Sequence, residues 1–266
     1  MLKTPSYAQT GRLMQIFISD NMDANDPARI ALLKKWINRL TISKTNGFNA
    51  IRTFIAPSEL GTAAAFKEIF RLCAVSGIEL VADSVNTAFQ SLKRADYAAY
   101  IDTLGYVENV RAFAIDDAQR FTSLEIEAMA KPLYRHAGAI FVSTGVSAGE
   151  EDIARISRVC SQLSLTFELQ AYRQGESTAL PGEWLETYNV GCLAFETYKT
   201  SAKGKTTSVS DITNMGKGIL AQEILPRYMS VYAGKDEYTD LLTRANAERL
   251  KALDTFAAQV WERWGV

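Results

Sequence analysis

Residues 110–120, VRAFAIDDAQR, form an apolar run that alternates like a strand and stops at two adjacent carboxylates, Asp116 and Asp117. Side chains alternate across a strand, so two neighbouring acids cannot face the same way. Asp116 ends the strand directly and is the better candidate for chemistry. Asp117 is expected to cap or brace the following loop. Two carboxylates on opposite sides of a glycosidic bond are the minimum for glycoside hydrolysis. One must hold a proton for the leaving oxygen, and the other must stay ionised to attack or to activate water.

Other β-rich runs end in polar residues too. Asp20 follows the first, Arg52 lies inside the second, and Asp83 ends the third with Asn86 close behind. Ser143 ends the fifth. Glu168 and Gln170 lie in the sixth, with Tyr172 and Arg173 after it. Glu196 ends the seventh, followed by Tyr198 and Lys199. Asp116 with Glu196 is the proposed acid/base pair, and Asp83 and Glu168 are the reserve carboxylates. The amide, hydroxyl, tyrosine and cationic residues, with Asp20, would bind and orient a polyhydroxyl ligand. Acids after parallel strands serve equally as helix N-caps, so a structural role stays open for each.

The segment 198–212, YKTSAKGKTTSVSDI, places Lys199, Lys203 and Lys205 among hydroxyls before a helix start. Barrels often hold phosphate between their last two strand–helix loops, at backbone N–H groups. The Gly-Lys-Thr at 204–206 lacks the earlier glycine of a nucleotide-binding P-loop. A solvated loop with scattered lysines is the competing reading.

Metal and nucleophile chemistry find little support. The sole histidine, His136, precedes the fifth run and so falls at the end away from the acids. No metal is expected, nor a Ser-His-Asp or Cys-His nucleophile. No lysine lies within a strand, which argues against a Schiff-base aldolase. No cofactor is expected. Cys73, Cys160 and Cys192 are far apart in apolar surroundings and read as buried reduced thiols.

The elements that must carry these residues repeat at roughly thirty-residue intervals as a run, a polar loop and an amphipathic helix. The runs are 13–19, 50–56, 78–84, 110–116, 139–145, 165–171, 191–197 and 228–234. Strand–helix alternation implies parallel strands with crossover helices, and eight units close a (β/α)8 TIM barrel. An open doubly wound sheet is the alternative, but no Gly-rich dinucleotide fingerprint follows the first strand. The expectation is a single α/β domain over 1–266, with no second domain. It would end in a long helix from Asp240 to Trp264. Helix starts are expected at Asp26-Pro27, at Ser123, and at Ser147 with Glu150 in a capping-box spacing.

The net charge of −1 provides no basic field for nucleic acid or an anionic membrane. No apolar stretch approaches the ~18 residues of a membrane span, and the N-terminus lacks a signal-peptide core. A cytoplasmic protein with a small-molecule carbohydrate or sugar-phosphate ligand is expected, and a homo-oligomer is compatible with the sequence.

The order of these features resembles the barrel domain of the MupG-type proteins, bacterial 6-phospho-N-acetylmuramidases. GFNAIRTFIAPSE (47–59), GIELVADSVNTAFQSL (77–92), VRAFAIDDA (110–118) and IFVSTGVSAGEEDI (140–153) are similar to that family's second to fifth strands. ELQAYRQGESTAL (168–180) is a looser match, with Tyr172–Arg173 as its Tyr–Arg pair. LAFETYKTSAKGKTTSVSDI (193–212) resembles the seventh strand and its loop. The resemblance covers most of 12–235. It implies a cytoplasmic barrel that cleaves the ether of an amino-sugar phosphate released in cell-wall recycling, with Asp116 at the acidic position. The sixth loop departs from the pattern in lacking Asn and Pro around its Tyr–Arg pair, and no small β-rich domain follows the barrel. Those departures keep a second reading in view: a non-catalytic barrel that binds carbohydrate or a partner. A sugar-phosphate isomerase or lyase would need a metal or a strand lysine.

Overall fold

The computed structural model describes residues 4–18, 27–42, 47–55, 64–83, 85–107, 109–173, 176–177, 183–196, 208–232, 242 and 246–266, with backbone alone at 27–29, 64–66, 172–173, 176–177 and 196. Eight strands carry the fold: β1 Leu13–Ile18, β2 Ala50–Phe54, β3 Glu79–Asp83, β4 Val110–Ile115, β5 Ala139–Gly145, β6 Thr166–Gln170, β7 Cys192–Glu196 and β8 Tyr228–Tyr232. Each pairs in parallel with its sequence neighbour, and β1 pairs with β8, so the sheet closes into a barrel. Each of the eight expected runs contains one of the eight strands. A short antiparallel ribbon, Tyr172–Arg173 with Glu176–Ser177, follows β6.

Strand alternation divides the apolar residues into two layers. Leu13, Ala50, Val81, Ala112, Phe141 and Cys192 form a cluster inside the barrel. Their neighbours Met14, Ile51, Leu80, Phe113, Ile140 and Leu193 belong to the larger cluster shared with the helices. Between β3 and β4 the register slips by one residue: Leu80 faces Val110, but Val81 faces Ala112. Such a bulge re-aims the side chains beyond it. It brings Val81 level with Ala112 in the inner layer, ahead of Asp116.

The helices α1 Tyr7–Thr10, α2 Pro27–Ile42, α3 Ala64–Ser76, α4 Val85–Ser91, α5 Arg94–Gly105, α6 Ser123–Ala130, α7 Glu150–Leu163, α8 Trp184–Thr187, α9 Val209–Leu220 and α10 Ala247–Arg263 run before, between and after the strands. In α7, Ile153, Ile156, Val159 and Cys160 recur on one buried face, while Glu150, Glu151 and Asp152 crowd the first turn, where the helix dipole favours anions. α6 begins at Ser123 as expected, capped by Thr122 in a reciprocal capping box with Glu125. One helix start differs from expectation. Ser147 lies in a 3₁₀ turn, and Gly149 stands at the start of α7 with no side-chain cap. α6 stops at Ala130, before Pro132, and a 3₁₀ turn over Leu133–Arg135 follows it.

The ends of the chain are tied to the base of the barrel. Asn49 is buried; its Oδ1 accepts from Met14 N at 2.9 Å, and its Nδ2 donates to Pro5 O and Arg12 O, both at 3.0 Å. Arg12 Nη1 donates to Trp264 O at 2.8 Å. α10 packs on α9 where Gly216 lets Phe256 approach. Cys73, Cys160 and Cys192 are free and buried. No helix among the described residues is long and apolar enough to cross a membrane.

Candidate functional site at the mouth of the barrel

The interior turns from apolar to charged toward the C-terminal ends of the strands, the end where barrels of this kind place their active sites. Arg52 on β2 is wholly buried, as are Asp83 on β3 and Glu168 on β6. All three guanidinium nitrogens are engaged. Nε donates to Asp83 Oδ2 at 3.0 Å, and Nη1 sits between both Glu168 oxygens at 2.6 Å. Nη2 makes a longer contact of 3.4 Å to Ser143 Oγ on β5. The guanidinium carbon stands 4.3 Å from the centre of the Phe17 ring. Burial opposes the charge, but the pull of Asp83, Glu168 and Asp116 outweighs it, so the pKa of Arg52 lies well above its ordinary value. Both reserve carboxylates touch one guanidinium, which places them within the roughly 10 Å over which paired glycosidase carboxylates operate.

Asp116 stands just beyond β4, half-buried. Its Oδ1 accepts from Gln170 Nε2 on β6 at 2.7 Å. Burial raises its pKa first, and the charges of Asp83 and Asp117 raise it further. Arg52 and a backbone hydrogen bond at Asp117 pull the other way, and the balance is about 6. A carboxyl of that kind holds a proton in mildly acidic solution and releases it near neutrality, as a general acid requires. Asp117 turns aside. Its backbone is left-handed (φ 51°), and its carboxylate accepts from Gln119 Nε2 at 3.2 Å and pairs with Arg120 at 3.0 Å. It stands at the N-cap of a 3₁₀ turn but makes no side-chain cap bond, so it braces the loop rather than capping it. Gln119 Oε1 in turn accepts from Thr144 Oγ1 at 2.9 Å.

Of the residues singled out from sequence, Arg52, Asp83, Asp116, Ser143, Glu168 and Gln170 are thus brought together. Asn86, the second residue of the neighbouring helix α4, has a buried Oδ1 with no partner among the described residues. Glu196 ends β7 in register with Tyr232, three strands round the barrel from Asp116, and its carboxylate lies outside the described side chains. Tyr172 and Arg173 form one side of the ribbon, described in backbone only. Asp20, Tyr198, Lys199, Lys203 and Lys205 lie outside the described residues.

Inspecting strand ends for polar groups passes over two aromatics. Phe17 and Tyr232, level on β1 and β8, meet with ring centroids 5.1 Å apart. They share the alternation of Leu13 and Gln15 on one strand and Tyr228 and Ser230 on the other, a pattern visible in the sequence. Gln15 Oε1 and Ser230 Oγ, also level, are buried with no partner among the described residues. Gln15 Nε2 lies 3.8 Å from Cys192 Sγ, and burial pushes that thiol's pKa up, away from nucleophile chemistry. His136 pairs with Asp102 at 2.9 Å before β5, at the far end of the barrel. Among the described residues no cluster of three or more His, Cys, Asp or Glu has the arrangement of a metal site.

Neither a protein-family model nor a curated protein sequence matches the chain. Solved structures do. The chain is similar to the GH99 endo-alpha-mannosidase from Bacteroides thetaiotaomicron, at 12% identity over 93% of this chain and 96% of that one, with a TM-score of 0.59. It is similar to a GH18 chitinase from Pseudoalteromonas aurantia at 12% identity, over 91% of this chain and 100% of that one, with a TM-score of 0.58. It is also similar to orotidine 5'-monophosphate decarboxylase from Methanocaldococcus jannaschii at 12% identity, over 92% and 98% of the two chains, with a TM-score of 0.53. These likenesses establish the fold. A barrel shared by two glycosidases and a decarboxylase leaves the chemistry to the site.

Proposed function

We propose that this barrel is a glycoside hydrolase in which Asp116 is the general acid. The observation that supports this most is the separation of two carboxylates at neighbouring strand ends: Asp83 bound to Arg52, and Asp116 pushed to a pKa of about 6 by burial and by Asp83. Arg52 holds the first in a buried ion pair, while burial and the charge of Asp83 fit the second to hold a proton. Glu168 is spent on Arg52 and fully enclosed. Its role is to fix the guanidinium. The second reacting carboxylate is assigned to Glu196, on the wall three strands away. Phe17 and Tyr232 would provide an apolar wall beside the sugar.

The ligand is proposed to be a sugar or amino-sugar phosphate, with Lys199 and Lys205 meeting the phosphate. A 6-phospho-N-acetylmuramate-type ether is the specific candidate. That finer reading rests on the family resemblance of the strand motifs, and the glycosidases among the structural neighbours add weight to the carbohydrate class. A cytoplasmic setting accords with three free, buried cysteines.

The test is hydrolysis of chromogenic glycosides, their 6-phosphates and a 6-phosphorylated lactyl-ether amino sugar, with Asp116→Asn and Glu196→Gln as variants. Loss of the acid should lower kcat by about 10²- to 10⁴-fold. Turnover unchanged in Asp116→Asn removes Asp116 from the mechanism. One observation favours a binding barrel instead: Arg52 ties up Asp83 and Glu168 together. Sugar-phosphate binding seen as a thermal shift, without turnover of any substrate, would support that second reading.

A further inference from the structure

A carboxylic acid that delivers a proton must present it from one oxygen, and a partner has to decide which. We propose that Gln170 is the positioning residue of Asp116: by donating its Nε2–H to Oδ1 it reserves that oxygen as an acceptor, leaving Oδ2 to carry and deliver the proton. This rests on the reading of Asp116 as the acid, and it adds the direction of proton transfer.

The geometry supports the assignment from both sides. Gln170 is the last residue of β6, 6% exposed, and its amide spans to Asp116 at 2.7 Å. It pairs with Gly145 in the β5–β6 register. A Cβ added at Gly145 would fall 3.9 Å from Gln170 Oε1, so this neighbour leaves the amide room. An amide has a donor end and an acceptor end, and here the donor end meets the carboxyl. A donor satisfied by Oδ1 favours a lone pair on that oxygen in both protonation states, so the proton of the acid form resides on Oδ2.

The surroundings define what else acts on this carboxyl. Asp83 on β3 and the charge of Asp117 in the adjoining loop oppose its ionisation, while Arg52 on β2 and a backbone hydrogen bond at Asp117 favour it; Glu168 on β6 acts through Arg52. Gln170 contributes a neutral donor from β6, on the ionised form's side of the balance. It therefore restrains the rise in pKa, so that the carboxyl still releases its proton below neutral pH.

Carboxyl ¹³C NMR of aspartate-labelled full-length protein, titrated from pH 4 to 9, tests this without needing a substrate. Wild type should show one aspartate titrating near pH 6 that disappears in Asp116→Asn. In Gln170→Met, the loss of a hydrogen bond to the ionised form should raise that midpoint by about one unit. In Gln170→Glu, which conserves shape, two carboxyls in contact must share a proton. The transition should split into a lower and a markedly higher step. The Glu variant carries the test if the Met variant folds poorly. Titrations of both variants that superimpose on wild type would overturn the role of Gln170 while leaving Asp116 as the acid. A wild type with no aspartate titrating near pH 6 would overturn the acid assignment itself, and the inference with it.

Discussion

Asp116 and Asp117 differ by one position in the sequence and by nearly everything in their surroundings. Strand alternation was enough to separate them on paper, because a one-residue step reverses the side-chain direction. The sequence did not show the cause of Asp116's altered pKa. Burial comes first and the charge of Asp83 second, and Asp83 stands on a neighbouring strand, set beside Asp116 only when the barrel forms. The carboxyl's raised pKa has a consequence for stability. A group that binds its proton more tightly when folded stabilises the protein fully below the unfolded-state pKa, near 3.8. That contribution is lost as pH rises through the folded value of about 6. Between pH 4 and 7 Asp116 should therefore cost the folded state on the order of 2 kcal/mol, less whatever solvent screening removes. Asp116→Asn carries no titrating group there. The melting temperature of wild type minus that of Asp116→Asn should fall steadily over this interval. A difference independent of pH would show that Asp116 ionises at its ordinary value in the fold.

At the scale of elements, the strands were legible and the helix starts were less so. Alternation and length mark a strand directly, and each of the eight runs became one. Helix starts depend on local backbone geometry that residue spacing does not encode. Ser147 and Glu150 have the spacing of a capping box, yet Val146–Ala148 wind into a 3₁₀ turn and Gly149 takes φ 90°, ψ 156°. That region of backbone space is essentially reserved for glycine. No atom lies within 4 Å of where a Cβ would stand on Gly149, so a side chain there would meet strain without a clash. Gly149→Ala should consequently destabilise the protein by about 1–3 kcal/mol with little change in the surrounding side chains. Chemical denaturation would measure it, and a variant as stable as wild type would mean that the turn relaxes into another conformation. The ribbon after β6 was missed for a related reason: two-residue strands are too short to show periodicity.

The whole molecule was the most readable scale, since eight strand–helix units leave few ways to close. Its charged interior was not readable, because nothing in AIRTF or TFELQ announces that Arg52 and Glu168 will be buried at the same level. A barrel interior is normally filled by branched apolar side chains. Here an arginine and two acids replace part of that filling, and such networks seldom add net stability after desolvation is counted. This distinguishes a network retained for the site from one retained for the fold. Arg52→Met alone would leave Asp83 and Glu168 buried without their cation, at a cost of about 3–5 kcal/mol. Arg52→Met combined with Asp83→Leu and Glu168→Met removes the charges together. That triple variant should recover most of the loss, or exceed wild type, in a urea titration. It should also lack any hydrolytic activity that wild type shows, because Asp116 would lose both the acid that raises its pKa and the cation that lowers it. If the triple variant is instead as unstable as the single one, the ion network holds the barrel together in its own right. Recovered stability with lost activity would identify Arg52, Asp83 and Glu168 as a charged core maintained for the chemistry at the mouth.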